Sequence, residues 1–170
     1  MYNSAMITTP ETVGNIFEAH RNRHGNTVPL VATSGGCDPL HVGHVRCIGG
    51  ASMLKGKDGL LVVIVNGDGF LKRKKGYAFM ELQERMELIA SIRGIDYVVP
   101  WDDGTQFVSG AIEIMKPNIF AKGGDRSMAE NVPEYECCVK NACAVVFGIG
   151  GTEKVRSSSE LIAMYQRPLK

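Results

Sequence analysis

Two histidines, His41 and His44, are the residues of this sequence whose types and spacing first suggest chemistry. They follow a loop that begins with Ser34-Gly35-Gly36, in which glycine lets the backbone approach a ligand closely. A helix that begins at the histidines adds unpaired N–H groups, and residues three apart are neighbours on its first turn. These features predict a cradle for phosphate. The residues alone leave two alternatives open, a metal-binding pair and ordinary structural histidines.

A run of four cations, Lys72-Arg73-Lys74-Lys75, lies within a charged loop that we predict from Gly67 to Gly76. Such a run is ordinarily a solvated surface segment. Neighbouring cations repel one another unless an anion is present, so this run also suits a triphosphate or a phosphate monoester. A solvated loop and an anion site are both open interpretations.

A third candidate region combines Lys122-Gly123-Gly124-Asp125-Arg126 with the serine run Ser157-Ser158-Ser159. The glycines let the backbone lie against a base or a ribose. Serines at the start of a helix offer hydroxyl and amide groups to phosphate, although an ordinary helix cap has the same sequence. We therefore predict nucleotide contacts here, with capping as the alternative for the serines.

Apolar strands that alternate with helical patterns bring these three regions together. The predicted strands are Val28–Ala32, Leu60–Val65, Tyr97–Val99, Asn118–Ala121 and Ala144–Phe147. Their continuous apolar character predicts the α/β class, with a Rossmann-like open parallel five-stranded sheet and helices on both faces. Ligands of such sheets bind beyond the carboxyl ends of the strands, where all three candidate regions lie.

The helical patterns fall between these strands. The first is predicted from Pro10 to about Gly25, with Thr9 as its cap. The others are predicted from His41 to about Met53, around Glu81–Ile92, Thr105–Met115 and Glu134–Asn141, and from the serine run to Tyr165. Residues 1–27 are accordingly predicted as an N-terminal helical extension, and residues 28–170 as the ligand-binding domain.

Composition excludes several classes of protein. The 170 residues suit one domain, and a net charge of +1 provides no general field for nucleic acid or an anionic membrane. The five cysteines contain no C-x-x-C pair, which predicts free thiols in a reducing cytoplasm. No apolar run approaches the roughly 20 residues needed to span a bilayer, and no signal-peptide pattern follows Met1.

The segment His41-Val42-Gly43-His44 resembles the H-x-G-H signature of the cytidylyltransferase-like nucleotidyltransferase family. The resemblance runs from about Val28 to Met164 and is closest to the adenylyltransferase domain of the bifunctional ADP-heptose synthesis enzyme. That domain's further patterns, N-S-D-x-x-x-K-R-x-K-G, E-Q-R-M and K-G-G-D, are matched nearly in register. The chain is also similar to glycerol-3-phosphate cytidylyltransferase. It departs from the pattern at Cys37, where phenylalanine is usual, at Tyr77-Ala78, where Arg-Pro is usual, and at Arg156-Ser157-Ser158-Ser159, which replaces a Ser-Thr-Thr turn.

The resemblance implies roles for individual residues. His41 and His44 would donate to NTP phosphates, and Lys72 would bind the acceptor phosphate as a catalytic residue, together with Lys75 and Arg85. The implied nucleotide contacts are Ser34, Gly35, Gly36, Asp38, Lys122, Gly123, Gly124, Asp125, Arg126, Ser157, Ser158 and Ser159. Mg²⁺ would arrive with the NTP without a dedicated carboxylate cage, and Asp38 and Asp125 are candidate ligands or water contacts. A homodimer is also implied.

The implied reaction transfers a nucleoside monophosphate from an NTP to a phosphorylated small molecule, a sugar 1-phosphate, and releases pyrophosphate. One alternative is a CTP-dependent enzyme that acts on glycerol phosphate or choline phosphate. Another is a nucleotide-binding module without turnover. An RNA-binding relative of the tRNA synthetases is disfavoured because the sequence has no K-M-S-K-S segment and no basic excess.

Overall fold

A six-stranded parallel sheet forms the centre of the molecule in a computed structural model that describes residues 4–123, 132–151 and 156–166. The strands are β1 (Met6–Ile7), β2 (Leu30–Gly35), β3 (Leu60–Asn66), β4 (Tyr97–Trp101), β5 (Ile119–Gly123) and β6 (Ala144–Ile149). Their order across the sheet is β1-β4-β3-β2-β5-β6. The predicted α/β class is confirmed, with one strand more than predicted. Strand β1 has two residues, too few for a recognisable pattern, and it pairs with β4 at the edge of the sheet.

Helices connect the strands and cover the sheet. They are α1 (Pro10–His24), α2 (Val42–Lys55), α3 (Asp68–Lys75), α4 (Leu82–Ala90), α5 (Ser109–Met115), α6 (Tyr135–Lys140) and α7 (Ser158–Tyr165). No helix in the described ranges is both long enough and apolar enough to cross a bilayer.

Helix α3 corrects the predicted charged loop at 67–76. Its apolar residues Phe70 and Leu71 are buried in the core, and the Phe70 amide donates to the Asp102 carboxylate at 2.9 Å. Gly76 ends the helix with φ of 86°, a conformation that favours glycine. Two buried residues and one distant carboxylate therefore fold a segment whose sequence shows mainly charge.

The core lies on both sides of the sheet because alternate strand residues point to opposite faces. On one face, Leu30 and Ala32 of β2 pack with buried residues of α1, α3 and α5. On the other face, Val31 packs with buried residues of α2 and α4. Strand β3 alternates in the same way, and its residues 61–65 are almost completely buried.

Helix α1 belongs to this core. The Thr9 hydroxyl caps it by accepting from the Thr12 amide, and Pro10 occupies the first turn, as predicted. Val13 and Phe17 are fully buried beneath it. A Cβ at Gly14 would lie 2.8 Å from the carbonyl oxygen of Ile114, so glycine permits the close approach of α1 to α5. The division at residue 28 into an extension and a domain stays a prediction.

The strand order creates a crevice at one edge of the sheet. From β2 the chain proceeds through β3 to β4 in one direction, and then returns to place β5 on the other side of β2. The connections that leave β2 and β5 therefore diverge. In open parallel sheets a ligand-binding crevice forms at such a point, outside the carboxyl ends of the strands.

Candidate active site

A cleft of about 250 Å³ occupies this crevice. It is lined by the predicted residues Ser34, Gly35, Gly36, Lys122 and Gly123, together with Asn66, Phe70, Lys74, Gln106, Val108, Pro133 and Glu134. The structure therefore brings the ends of β2 and β5 together, as expected from the sequence. A larger groove of about 680 Å³ lies between α1 and α5, but none of the predicted site residues lines it.

The two histidines form the first turn of α2 and cap it reciprocally. Nδ1 of His41 accepts from the Gly43 amide at 3.1 Å, and Nδ1 of His44 accepts from the His41 amide at 3.2 Å. Their rings are stacked, with centroids 3.8 Å apart. Because Nδ1 of each ring is an acceptor, the neutral imidazole carries its proton on Nε2, on the opposite side of the ring. The cap thus fixes the tautomer in which both histidines have an N–H available for an anion.

Both histidines are held in the neutral state. Burial, the neighbouring His41 and the ammonium of Lys75 lower the pKa of His44 to about 4. Burial lowers the pKa of His41, and the nearby Glu160 offsets part of this effect. At neutral pH the pair therefore offers two N–H donors and no net charge.

Asp38 is buried, and its side chain contacts other parts of the chain. Its buried carboxylate accepts from the amides of Phe79 and Met80, at 2.8 and 2.7 Å. Nζ of Lys75 lies 3.1 Å from the same carboxylate and donates to the Asp38 carbonyl at 2.8 Å. Asp38 and Lys75 are thus engaged with each other, and a contact of Asp38 with the nucleotide or a metal stays a prediction.

The donor atoms of the site show whether it could hold a metal ion. The described residues contain no cluster of three or more His, Cys, Asp or Glu side chains suited to a metal ion. Among these residues the oxygens of Asp38 already accept from two amides and lie beside Lys75, and Asp125 lies outside the described ranges. Mg²⁺ at this site belongs with the NTP as part of the substrate, and this stays a prediction.

Arg85 is fully buried and joins the ends of two strands. Its guanidinium donates to the carbonyls of Gly36 at 2.8 Å and Asn66 at 2.7 Å. It also donates to the Met80 carbonyl at 3.1 Å and to the Asp68 carboxylate at 2.5 Å. The planar fork of arginine can serve several acceptors at once. This geometry differs from an arginine that faces the cleft, and a contact of Arg85 with the acceptor phosphate stays a prediction.

The lysines of α3 lie on different sides of the helix. Lys74 is one turn after Phe70, and both line the cleft. Lys72 is exposed and lies two positions from each, on the opposite side of the helix. Lys74, which the sequence analysis did not select, is therefore the lysine of this run that lines the cleft. The role of Lys72 at the acceptor phosphate stays a prediction.

The serine run performs two different tasks. Ser157 caps α7, since its hydroxyl accepts from the Glu160 amide and its own amide donates to the Glu160 carboxylate. The alternative of an ordinary cap therefore describes Ser157. Ser158 donates to the carbonyl of Pro39 at 2.9 Å, which attaches α7 to the histidine loop. Ser159 lies beside Tyr77 in a neighbouring surface pocket.

Lys122 lines the cleft from β5. It is 8% exposed, and its Nζ donates to the Ser34 hydroxyl at 3.1 Å. The same Nζ lies 3.5 Å from Oε2 of Glu134. Lys122 thus places a largely buried positive charge between β2 and the start of α6. The predicted residues Gly124, Asp125 and Arg126 lie outside the described ranges.

Besides Lys74, sequence reasoning missed three polar residues of the cleft, Asn66, Gln106 and Glu134. Asn66 is the last residue of β3, so its position at a carboxyl end was a usable signal. Gln106 and Glu134 come from connecting segments, and no motif distinguishes them.

Cys37, at the departure from the family pattern, is buried, and burial raises the pKa of its thiol to about 12.

Comparison with known proteins identifies the family of this chain. The model of the cytidylyltransferase-like family matches residues 32–163. Bifunctional protein HldE of Syntrophotalea carbinolica is 38% identical over 121 residues, which are 70% of this chain and 23% of that protein. Bifunctional protein HldE of Blochmanniella pennsylvanica is 32% identical over 169 residues, 95% of this chain and 32% of that protein. The chain thus spans about a quarter to a third of the length of these relatives.

A solved structure shares the fold. The lipopolysaccharide core biosynthesis protein from Thermoplasma volcanium superposes with a TM-score of 0.58 at 21% identity, over 70% of this chain and 94% of that one. The family match includes the whole histidine loop, α3, Arg85 and most of α7. The family suggested by the motifs is thereby confirmed, and the chain belongs to the cytidylyltransferase-like family of nucleotidyltransferases.

Proposed function

We propose that this protein transfers a nucleoside monophosphate from an NTP to a sugar 1-phosphate and releases pyrophosphate, with ATP as the preferred NTP. The observation that carries the proposal is the reciprocal cap of His41 and His44, which fixes two neutral Nε2 donors at the start of α2. The resemblance to HldE over most of the chain supports the sugar phosphate and the adenylyl group.

The chemistry needs positioned charge more than covalent participation by the protein. An oxygen of the acceptor phosphate attacks the α-phosphorus of the NTP, the bond to the β-phosphate breaks, and pyrophosphate leaves with its electron pair. Negative charge grows on the leaving group during this step. Two preorganised N–H donors stabilise such charge more effectively than mobile water does.

The cleft supplies the opposing charges. Lys74 and Lys122 line it from α3 and β5, and the dipole of α2 adds a partial positive charge at the start of that helix. Glycine at 36 permits the close approach of this loop to α3, since a Cβ there would lie 2.7 Å from a methyl of Leu71. These positive charges offset the repulsion between an anionic acceptor and a triphosphate, so both can approach one another in the cleft.

Pyrophosphate release tests the proposal directly. The protein is incubated with each NTP and Mg²⁺, and with a panel of aldose 1-phosphates, glycerol 3-phosphate and choline phosphate. Release with ATP and an aldose 1-phosphate is the expected result. Preference for CTP with an alcohol phosphate would replace the proposed substrates, and no release with any pair would favour a nucleotide-binding module. His24→Ala, at an exposed histidine of α1, is the matched control for His41→Ala and His44→Ala.

The remaining expectations concern the whole protein. A homodimer and a cytoplasmic location stay predictions. Light scattering at micromolar concentration separates a monomer of 18.5 kDa from a dimer.

A further inference from the structure

Two buried polar atoms in the cleft have no task in the chemistry described above. They are Oε2 of Glu134 and the side-chain oxygen of Asn66, which have no hydrogen-bond partner among the described residues. Glu134 is 5% exposed and Asn66 is 7% exposed. Both residues line the cleft. Buried polar atoms almost always have partners, so an unpaired pair in a cleft indicates where a ligand or water binds.

The rest of each side chain is held in place. Oε1 of Glu134 accepts from the amide of Val108 at 3.3 Å, which orients the carboxylate. Its Oε2 lies 3.5 Å from Nζ of Lys122, close enough for an ion pair but without hydrogen-bond geometry. The backbone carbonyl of Asn66 accepts from Arg85 at 2.7 Å, which anchors this residue at the end of β3. The two side chains are thus preorganised and incompletely satisfied.

The chemistry of these atoms excludes a phosphate group as their partner. A carboxylate oxygen accepts hydrogen bonds and cannot donate them. Phosphate oxygens are also acceptors and carry negative charge, so Glu134 repels them. The ligand group that pairs with Glu134 must therefore donate a hydrogen bond.

Two kinds of donor occur in small phosphorylated acceptors, namely ammonium groups and hydroxyl groups. Lys74 and Lys122 line the same cleft, so a cationic ligand meets two like charges. A hydroxyl group is a neutral donor and meets no such repulsion. A carbohydrate also carries several hydroxyl groups, which suits a site with two polar side chains.

We propose that Glu134 and Asn66 bind hydroxyl groups of the acceptor and select a polyhydroxylated phosphate over acceptors without neighbouring hydroxyls. This inference rests on the proposed function, because it assigns the acceptor of the same cleft. It places the phosphate of the acceptor toward the lysines and the carbohydrate toward Glu134 and Asn66. Both are specificity-determining residues of the acceptor site.

Glu134→Gln tests the inference with little change in shape. The variant keeps an oxygen for the Val108 amide and loses the charge. The KM of the aldose 1-phosphate used best by the wild type should rise about 10- to 100-fold, as expected for loss of a hydrogen bond to a charged group. The KM of the NTP should change less than about twofold on the same argument. Glu136→Gln, at an exposed glutamate in the first turn of α6, which Glu134 precedes, is the control and should match the wild type.

Deoxy analogues of the same aldose 1-phosphate identify the group that is bound. At least one analogue should bind the wild type about 10-fold or more weakly, and this penalty should disappear in Glu134→Gln. Asn66→Ala is the second variant. Binding of the same deoxy analogues to it shows which of the remaining hydroxyls Asn66 contacts. A penalty that is unchanged in both variants, or equal rises in the KM of the NTP and the acceptor, would overturn the inference.

Direct binding separates this inference from the proposed function. Calorimetry with the aldose 1-phosphate and its deoxy analogues needs no turnover. If the wild type releases no pyrophosphate but binds the sugar phosphate with the hydroxyl dependence given above, the proposed reaction fails and the inference stands. If wild type and Glu134→Gln bind the sugar phosphate equally, or neither binds it, the inference fails whatever the turnover.

Discussion

Arg85→Ala should destabilise the protein severely because the guanidinium joins three segments. The substitution leaves the carbonyls of Gly36, Asn66 and Met80 and the carboxylate of Asp68 without their donor. Each buried acceptor left unpaired costs about 1–3 kcal/mol. Asp68 regains water because its side chain is 35% exposed, so its contribution is small. The acceptors are neighbours, so the costs of leaving them unpaired do not simply add. We expect the free energy of unfolding to fall by about 3–5 kcal/mol.

Urea unfolding measures this loss as a shift of the midpoint at constant slope. Arg93→Ala, at an exposed arginine that follows α4, should change the free energy of unfolding by less than about 0.5 kcal/mol. Arg85→Lys retains a charge but cannot reach both strand ends, so it should fall between the wild type and Arg85→Ala. Equal stability of Arg85→Ala and Arg93→Ala would refute the reasoning. If stability were unchanged and only the KM of the acceptor rose, the predicted phosphate contact of Arg85 would be correct.

Three further predictions concern the charges around the cleft. His41→Ala or His44→Ala should lower kcat about 100-fold or more in the pyrophosphate assay, since each removes a preorganised donor, whereas His24→Ala should not. The pKa of His44 falls from 6.5 to about 4 on folding, so between these pH values the unfolded state binds one more proton than the folded state. The free energy of unfolding should therefore decline relative to that of His44→Gln as pH falls from about 6.5 to 4. Parallel pH profiles of the wild type and His44→Gln would contradict this. Lys74→Ala should raise the KM of the acceptor about 10-fold or more through loss of a charged contact, and the same change with Lys72→Ala would support the family role of Lys72 instead.

The sequence predicted the parts of the fold that depend on local pattern. The buried strands show as apolar runs, and their alternation with helices required a parallel sheet. The histidine loop, Ser34 and Lys122 could be placed together because the carboxyl ends of parallel strands share one edge. Strand β1 escaped prediction, since two residues carry no period and its pairing with β4 is a tertiary contact.

The features that the sequence did not show involve charged residues whose partners are distant in sequence. Helix α3 looked like a loop because four cations hide the two buried residues, and the Asp102 carboxylate that holds it comes from beyond β4. Asp38 and Arg85 were also expected at the ligand because charge is ordinarily exposed, and these two contacts stay predictions. In the structure each of them has one side-chain partner, and their other partners are backbone groups, which have no sequence signature.

Helix α1 has a practical consequence for anyone who transplants this enzyme into a chimera. The family match begins at residue 32, so a junction placed by homology would discard the whole helix. That cut would strip Val13 and Phe17 from the core and uncover the apolar face of α5 against which α1 packs. The exposed apolar surface would make the fusion protein prone to aggregate. A junction before Ala5 keeps both the helix and the edge strand β1 with the sheet that they complete.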